Sequence, residues 1–260
     1  INEIAFKIPF FFFFRGVAWY GIIITLGIIL AVVYVMTHSK RENIKNDDIL
    51  DLAIFLIPGS VVGARLYYVI FYGGYDSFLE IISFWNGGLA IYGGIIAGAL
   101  IVVAVSLVKK IKPLKMLDLI APALLIGQAI GRWGNFFNQE AYGAITTIDN
   151  LKNLNIPDFI INGMFILGEY RQPTFLYESI LCLILFIIFL FVRRGSYRKV
   201  GTMTGLYLVG YGFIRFFIEI SRTDALMLAG FKVAQIVSII MIIIGSIILM
   251  INSRRSRFED

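Results

Sequence analysis

Hydrophobic and polar residues alternate along the 260-residue chain in long blocks. Seven apolar stretches run for about 20 residues, the length that a helix needs to cross a hydrocarbon core of about 30 Å. The pattern therefore predicts an all-α integral membrane protein with about seven transmembrane helices in one polytopic domain, residues 1–260. The predicted spans are residues 16–37, 49–72, 86–108, 114–137, 173–192, 201–220 and 231–251.

The composition supports a membrane protein and excludes several other classes. Apolar residues make up 59% of the chain and charged residues 15%, whereas soluble domains have roughly 45–50% and about 25%. A disordered chain would need low hydrophobicity and high charge. The single Cys and single His exclude an internal disulfide and a Cys- or His-rich metal site. We expect neither a metal nor a cofactor.

The basic residues indicate how the chain crosses the membrane. Lys and Arg are concentrated in alternate connections, and cytoplasmic loops carry the excess of such residues. The N-terminus is therefore predicted outside and the C-terminus in the cytoplasm. The net charge of +6 then reflects membrane topology, so no nucleic-acid partner is expected. The basic connections are residues 38–48, 109–115, 193–200 and the C-terminal tail.

Two segments differ from simple spans. Residues 9–15 read PFFFFFR, which suits either an interfacial segment or an extension of the first helix. Residues 138–172 form the only long connection and are rich in Asn, Gly, Thr and Asp. Long connections in compact proteins are often functional. We therefore expect this stretch to form a small extracytoplasmic head.

A first polar stripe lies at the outer end of the fourth predicted span. Gln128, Arg132, Asn135 and Gln139 share one helix face within and beside the sequence GRWGNFFNQEAYG of residues 131–143. An arginine in hydrocarbon costs at least a few kcal/mol, so such residues usually face a cavity or a polar partner. The stripe predicts a cavity open to the outer side, with structural polar packing as the alternative.

A second polar stripe lies on the sixth predicted span. Tyr211, Arg215, Glu219 and Arg222 follow one another at helical spacing in YGFIRFFIEISRTD. Arg215 and Glu219 could simply neutralise each other, which would leave Tyr211 and Arg222 unexplained. Arg65 is a third arginine within a predicted span, and we expect it to have a structural role.

A glycine-rich stretch, WNGGLAIYGGIIAG, covers residues 85–98. Gly94 and Gly98 suit close helix packing. An interrupted helix that lines a site, with Tyr92 pointing inward, is a compatible interpretation. Arginines near the outer leaflet fit a lipid phosphate, and Glu140 is a possible base.

These motifs together resemble the prolipoprotein diacylglyceryl transferase family. GRWGNFFNQEAYG is similar to the family's G-R-x-G-N-F-x-N-x-E-x-x-G signature, and most of the chain continues the resemblance. The other matching segments are VAWYG at 17–21, GARLYYVIFY at 63–72, WNGGLAIYGG at 85–94, RQPTFLYES at 171–179 and YGFIRFFIEISRTD at 211–224.

The resemblance implies a reaction, partners and a location. Such enzymes transfer the diacylglyceryl group of phosphatidylglycerol to the lipobox cysteine of a preprolipoprotein signal peptide. A thioether forms and glycerol phosphate leaves, in the first step of bacterial lipoprotein maturation. The implied location is the bacterial cytoplasmic membrane, with the active site towards the outer side and membrane lipid as the surroundings.

The resemblance also assigns site residues. Arg132 is the expected phosphatidylglycerol-binding arginine and Arg215 its counterpart on the later helix, with Glu140 and Tyr92 completing the catalytic candidates. Two positions depart from the family, since Tyr92 and Gln172 stand where many members carry His. The proton of the thiol would then pass to Glu140, Tyr92, the substrate phosphate or water. The expected substrate-binding residues are Arg132, Asn135, Asn138, Gly143, Tyr20, Tyr211, Glu219 and Arg222.

Two other functions are compatible with polar helices in a membrane. A small transporter would use them as a pathway, but paired broken helices in two related halves, common in transporters, are not evident. A non-catalytic phospholipid-binding protein would bind phosphatidylglycerol without turnover. Product formation from phosphatidylglycerol distinguishes the transferase from both.

Overall fold

The computed structural model describes residues 4–7, 16–75, 77–83, 87–194 and 199–254. The aromatic segment 9–15 lies outside the described residues. The helices are α1 (Trp19–Ser39), α2 (Asn46–Tyr72), α3 (Phe78–Ile82), α4 (Ile91–Val108), α5 (Pro113–Asn138), α6 (Ile148–Asn153), α7 (Asp158–Gly163), α8 (Thr174–Arg194), α9 (Thr202–Ser221) and α10 (Val233–Arg254). The antiparallel strand pairs are β1 (Ile4–Lys7) with β2 (Gly16–Ala18), β3 (Phe165–Ile166) with β4 (Glu169–Tyr170), and β5 (Met227–Leu228) with β6 (Phe231–Lys232).

The prediction of seven spans is confirmed. In the described part of the chain, α1, α2, α4, α5, α8, α9 and α10 are long and apolar enough to cross a membrane. The third span begins at Ile91 rather than at residue 86, because Gly87 and Gly88 have φ angles of 94° and 71°, which are not helical. The sides on which the two termini lie stay a prediction from the basic loops.

The chain divides into two compact units, one of residues 1–34 and 120–260 and the other of residues 35–119. The organisation as a single domain stays a prediction. In the smaller unit, α2 packs against α4 through small residues. A Cβ atom on Gly63 or Gly93 would collide with the backbone of the other helix. This contact confirms that the glycine-rich stretch serves close helix packing.

Arg65 on α2 has a structural role within the smaller unit. Its guanidinium donates to the carbonyls of Ile81 at 2.9 Å, Gly87 at 2.8 Å and Gly88 at 2.9 Å, and also to that of Glu80. It thereby satisfies the carbonyls at the end of α3 and binds Gly87 and Gly88 ahead of α4.

A charged contact within this unit joins the end of α4 to the start of α2. Lys109 pairs with Asp51 and with Asp48, the second at 3.2 Å. The hydrogen bonds to Asp51 and then Asp48 raise the pKa of the Lys109 ammonium above its ordinary value. These contacts stabilise the helix ends.

In the larger unit, α5 packs against α8 and α9 around a buried core. The members of this core are Ala121, Leu125, Ala129, Cys182, Phe189, Met203 and Tyr211. Helices α9 and α10 approach closely, since a Cβ on Gly245 would lie 2.8 Å from the carbonyl of Gly205. Helices α5, α8 and α9 therefore belong to one packed body.

Residues between α5 and α8 form a folded insertion, and its place as an extracytoplasmic head stays a prediction. It contains α6, α7 and the β3–β4 pair. A cluster of apolar side chains from the insertion and the adjoining helices anchors it: Phe136, Ile160, Met164, Ile166 and Phe175. The insertion therefore has a packed core that fixes it on the ends of α5 and α8.

Candidate functional site

Glu178 is the point at which three helices of the larger unit meet. Its side chain on α8 is 2% exposed and faces α5 and α9. Arg132 Nη2 lies 2.7 Å from Glu178 Oε1, and Arg215 Nη1 lies 3.3 Å from Oε2. The hydroxyl of Tyr211 donates to Oε1 at 3.0 Å. Each carboxylate oxygen thus binds a different arginine, which fixes the two guanidinium groups relative to each other.

The charges continue along the C-terminal part of α9 with alternating sign. Arg215 Nη2 pairs with Glu219 Oε2 at 2.7 Å, and Arg222 Nη1 lies 3.7 Å from the same oxygen. Arg222 Nε then donates to Asp224 Oδ1 at 2.9 Å. The spacing of three and four residues places these side chains on one helix face. The sequence left open whether Arg215 and Glu219 neutralise each other. They do form an ion pair, and Arg222 and Tyr211 belong to the same network.

The network closes on the end of α5. Asp224 Oδ2 accepts a hydrogen bond from the backbone N–H of Ala141 at 2.9 Å, directly beside Glu140. Asn135 Nδ2 donates to Glu140 Oε1 at 2.8 Å, while Arg132 Nη1 donates to Asn135 Oδ1 at 3.2 Å. We call this series of hydrogen bonds and ion pairs, which the peptide bond between Glu140 and Ala141 closes, the charged circuit. Its members are Arg132, Glu178, Arg215, Glu219, Arg222, Asp224, Ala141, Glu140 and Asn135.

The charged circuit contains three arginines and four carboxylates in the described chain. An arginine inside a membrane span needs such partners, since an unpaired charge there is costly. Each guanidinium has more N–H donors than these contacts use. An anionic ligand can therefore add to the circuit at the arginines, in competition with or beside Glu178.

The turn after α5 requires glycine at one position. A Cβ on Gly143 would lie 2.8 Å from Cβ of Gln172 and 2.9 Å from Cγ2 of Thr174. The N–H of Gly143 donates to the carbonyl of Gln172 at 2.9 Å, and Gly143 forms a β-bridge with Arg222. Gly143 thus lets the chain pass between the start of α8 and the end of α9.

The other predicted binding residues lie close by in the same unit. Asn138 Nδ2 donates to Glu140 Oε1 at 3.4 Å. Tyr20 on α1 packs on Gly134, where a Cβ would come within 2.9 Å of the Tyr20 ring. Tyr20 is also within electrostatic range of Glu140 and Arg132. The structure therefore brings together the predicted site residues of the larger unit, while Tyr92 lies on α4 in the smaller unit and its role stays a prediction.

The polar stripe of α5 makes hydrogen bonds to other parts of the protein, which is the structural packing that the sequence left open as the alternative; a cavity open to the outer side stays a prediction. Gln128 donates to the hydroxyl of Tyr207 at 2.8 Å, and Gln139 donates to the carbonyl of Gly163 at 3.1 Å. A cavity of about 350 Å³ lies beside the adjoining face of α5 and is apolar. Its lining residues are Trp19, Ile23, Leu26, Ala129, Ile130, Trp133, Phe137, Ser179 and Leu183.

Sequence reasoning missed two side chains of the charged circuit, Glu178 and Asp224, and the backbone N–H of Ala141. Glu178 carried a signal, because it is a carboxylate inside an apolar span and needs a cationic partner in the membrane. Asp224 follows the end of α9, and its link to Ala141 joins residues 83 positions apart. No local pattern predicts such a long-range contact.

Comparison with known proteins matches almost the whole chain to one protein family. Residues 4–251 match the family described as prolipoprotein diacylglyceryl transferase. Phosphatidylglycerol–prolipoprotein diacylglyceryl transferase from Streptococcus agalactiae serotype Ia is 49% identical over 262 residues, which cover 99% of this chain and 98% of the relative. The protein of that name from Streptococcus mutans serotype c is 45% identical over 261 residues, covering 98% and 96%. The one from Listeria monocytogenes serotype 4b is 44% identical over 232 residues, covering 88% and 83%.

Proposed function

The chain belongs to the prolipoprotein diacylglyceryl transferase family, and we infer from this membership that it transfers the diacylglyceryl group of phosphatidylglycerol to a prolipoprotein. It is a multi-pass membrane protein and a transferase of lipoprotein biosynthesis. We further propose that the charged circuit is its active site. The observation that supports this site most strongly is the convergence of Arg132 and Arg215 on Glu178 inside the spans.

The reaction exchanges one bond at a glyceryl carbon. The sulfur of the acceptor cysteine forms a C–S bond to the carbon that carries the phosphate. The C–O bond to that phosphate breaks, and its electron pair stays on the phosphate oxygen, so glycerol phosphate leaves. The thiol proton passes to a base. Negative charge therefore grows on the phosphate, and a fixed cation aimed there lowers the barrier.

In this proposal Arg132 and Arg215 bind the phosphate of phosphatidylglycerol. The planar guanidinium matches two phosphate oxygens at once. Glu178 holds both groups from α8, so little reorganisation is needed when the lipid arrives. Tyr211 donates to the same carboxylate and packs against the arginines from α9. Gly143 and Tyr20 are proposed to contact the lipid beside these arginines.

Glu140 is the candidate base for the thiol proton. It is exposed, unlike Glu178 and Glu219, and Asn135 and Asn138 both donate to its Oε1. These bonds orient the carboxylate. Because a thiol has a pKa of about 8.5, a nearby carboxylate or a positive field is needed to form the thiolate at neutral pH. Tyr92, the substrate phosphate and water are the other proposed acceptors.

We propose that the acceptor is the lipobox cysteine in the signal peptide of a preprolipoprotein. The site would then open to the outer side of the bacterial cytoplasmic membrane, as the basic loops predict. The folded insertion, which borders the charged circuit through the turn 139–143, would lie on that side.

Complementation tests this function. A bacterium that lacks its own transferase is given the wild-type chain, the Arg215→Gln variant or the Lys152→Gln variant, and a reporter lipoprotein is weighed by mass spectrometry. Lys152 is exposed on α6 and serves as the matched control. We expect the diacylglyceryl mass on the reporter with the wild type and Lys152→Gln, and none with Arg215→Gln. An unmodified reporter in cells with membrane-inserted wild-type protein would overturn the proposed function.

A further inference from the structure

Glu140 lies in an unusual stretch of backbone. The residues on either side of it, Gln139 and Ala141, have φ angles of 50° and 56°. Both are in the left-handed region, which residues with a Cβ rarely adopt and which carries a free-energy cost. Two such residues around one carboxylate persist only where neighbouring groups hold the backbone in place.

Ala141 is held through both of its backbone polar groups. Its N–H donates to Asp224 Oδ2 at 2.9 Å, and its carbonyl accepts from Thr174 Oγ1 at 2.5 Å. Thr174 begins α8 and is 1% exposed. The turn is thus held by hydrogen bonds to Thr174 at the start of α8 and to Asp224 in the segment after α9.

Asp224 is itself fixed by the end of α9. Its second oxygen, Oδ1, accepts from Arg222 Nε at 2.9 Å, and the N–H of Arg222 donates to the carbonyl of Glu219 at 3.2 Å. The β-bridge between Arg222 and Gly143 holds the same two segments together. The carboxylate of Asp224 therefore links α9, which carries Arg215, to the turn that carries Glu140.

We propose that Asp224 is a positioning residue for the transfer reaction. It holds the Ala141 N–H, and through the strained backbone it keeps the Glu140 carboxylate beside the arginines. This inference rests on the proposed function, in which Glu140 takes part in proton transfer. Asp224 itself acts through the backbone and touches neither substrate. Its loss should therefore slow the chemical step more than it weakens binding of the lipid.

The test uses purified full-length protein, phosphatidylglycerol in detergent micelles and a lipobox peptide. Asp224→Ala should lower kcat by at least about 30-fold while KM for phosphatidylglycerol changes less than about threefold. Asp224→Asn keeps one oxygen, which can accept from the Ala141 N–H or from Arg222 Nε but not from both, so its kcat should lie between those of the wild type and Asp224→Ala. Asp149→Ala, which removes an exposed carboxylate on α6, is the matched control and should leave kcat unchanged.

A second substitution separates positioning from a general structural role. Glycine adopts the left-handed region without the cost that alanine bears. Adding Ala141→Gly to Asp224→Ala should therefore restore at least about tenfold of the lost kcat. Hydrogen–deuterium exchange of the Ala141 amide gives a readout that does not depend on activity. Exchange should become at least about tenfold faster in Asp224→Ala than in the wild type.

The outcomes distinguish the two proposals. If the wild type forms no product in this assay, the proposed function fails. If the wild type is active and Asp224→Ala keeps its kcat, the positioning role fails alone. It also fails if the Ala141 amide stays protected in Asp224→Ala, or if Ala141→Gly restores nothing. Should Asp224→Ala not fold, an Asp224→Asn variant with a large loss of kcat and an unchanged Ala141 amide would likewise contradict it.

Discussion

Arg132 on α5 and Glu178 on α8 form an ion pair at 2.7 Å inside the membrane-spanning part of the protein, and the Glu178 side chain is only 2% exposed. The second oxygen of the same carboxylate binds Arg215 on α9. One buried carboxylate therefore sets the distance between the two arginines that we propose bind the lipid phosphate. In the proposed active site, stability and catalysis would therefore depend on the same contact.

Replacing Glu178 by Gln should damage both properties. Breaking a buried ion pair by removing one partner costs about 3–5 kcal/mol, because the remaining charge is left uncompensated. We expect a lower melting temperature in detergent and a fall in kcat/KM of at least about 100-fold. Glu169→Gln, on the exposed β4 strand, is the control and should change neither quantity. Wild-type activity in Glu178→Gln would show that the arginines do not need this carboxylate.

Replacing Gly143 by Ala should displace the turn that carries Glu140. The added Cβ would lie under 3 Å from side-chain atoms of both Gln172 and Thr174. Overpacking of this kind costs about 1–3 kcal/mol. We expect lower thermal stability and a strong loss of product formation, measured on the same preparation. Gly127→Ala on α5 is the matched control, since its Cβ would meet nothing within 4 Å. Equal behaviour of the two variants would refute the steric explanation.

Replacing Arg65 by Lys should loosen the loop before α4. A single ammonium cannot reach the carbonyls at the end of α3 and those of Gly87 and Gly88 at the same time. We expect faster proteolysis between residues 73 and 90 and a melting temperature lower by several degrees. Arg41→Lys, at an exposed position, should show neither change. Unaltered proteolysis of Arg65→Lys would argue against this structural role.

Cysteine labelling can directly test the membrane orientation that the basic loops predict. Cys182 is buried and is the only native cysteine, so new cysteines report alone. Asn150→Cys on the folded insertion should react with a membrane-impermeant maleimide added to intact protoplasts. Lys112→Cys, between α4 and α5, should react only after the membrane is opened. The reverse pattern would invert the topology and place the site on the cytoplasmic side.

The parts of the structure that depend on local pattern could be predicted, and the parts that depend on distant contacts could not. The spans follow from apolar length, and the stripe from Arg215 to Arg222 follows from helical spacing. The meeting of Arg132 with Glu178 is a contact between helices far apart in sequence, so periodicity does not reveal it. The left-handed backbone at Ala141 depends on Asp224 and Thr174, neither of which is a neighbour in the chain.

The central claim is that Arg132 promotes diacylglyceryl transfer from phosphatidylglycerol to a cysteine thiol. The most direct measurement compares purified wild type with Arg132→Gln, using phosphatidylglycerol and a lipobox peptide, with the thioether product read by mass and glycerol phosphate assayed in parallel. We predict equal amounts of both products from the wild type. Arg132→Gln should still fold and insert, but its rate of product formation should be at least about 100-fold lower. Undiminished product from Arg132→Gln, or no thioether from the wild type, would contradict it.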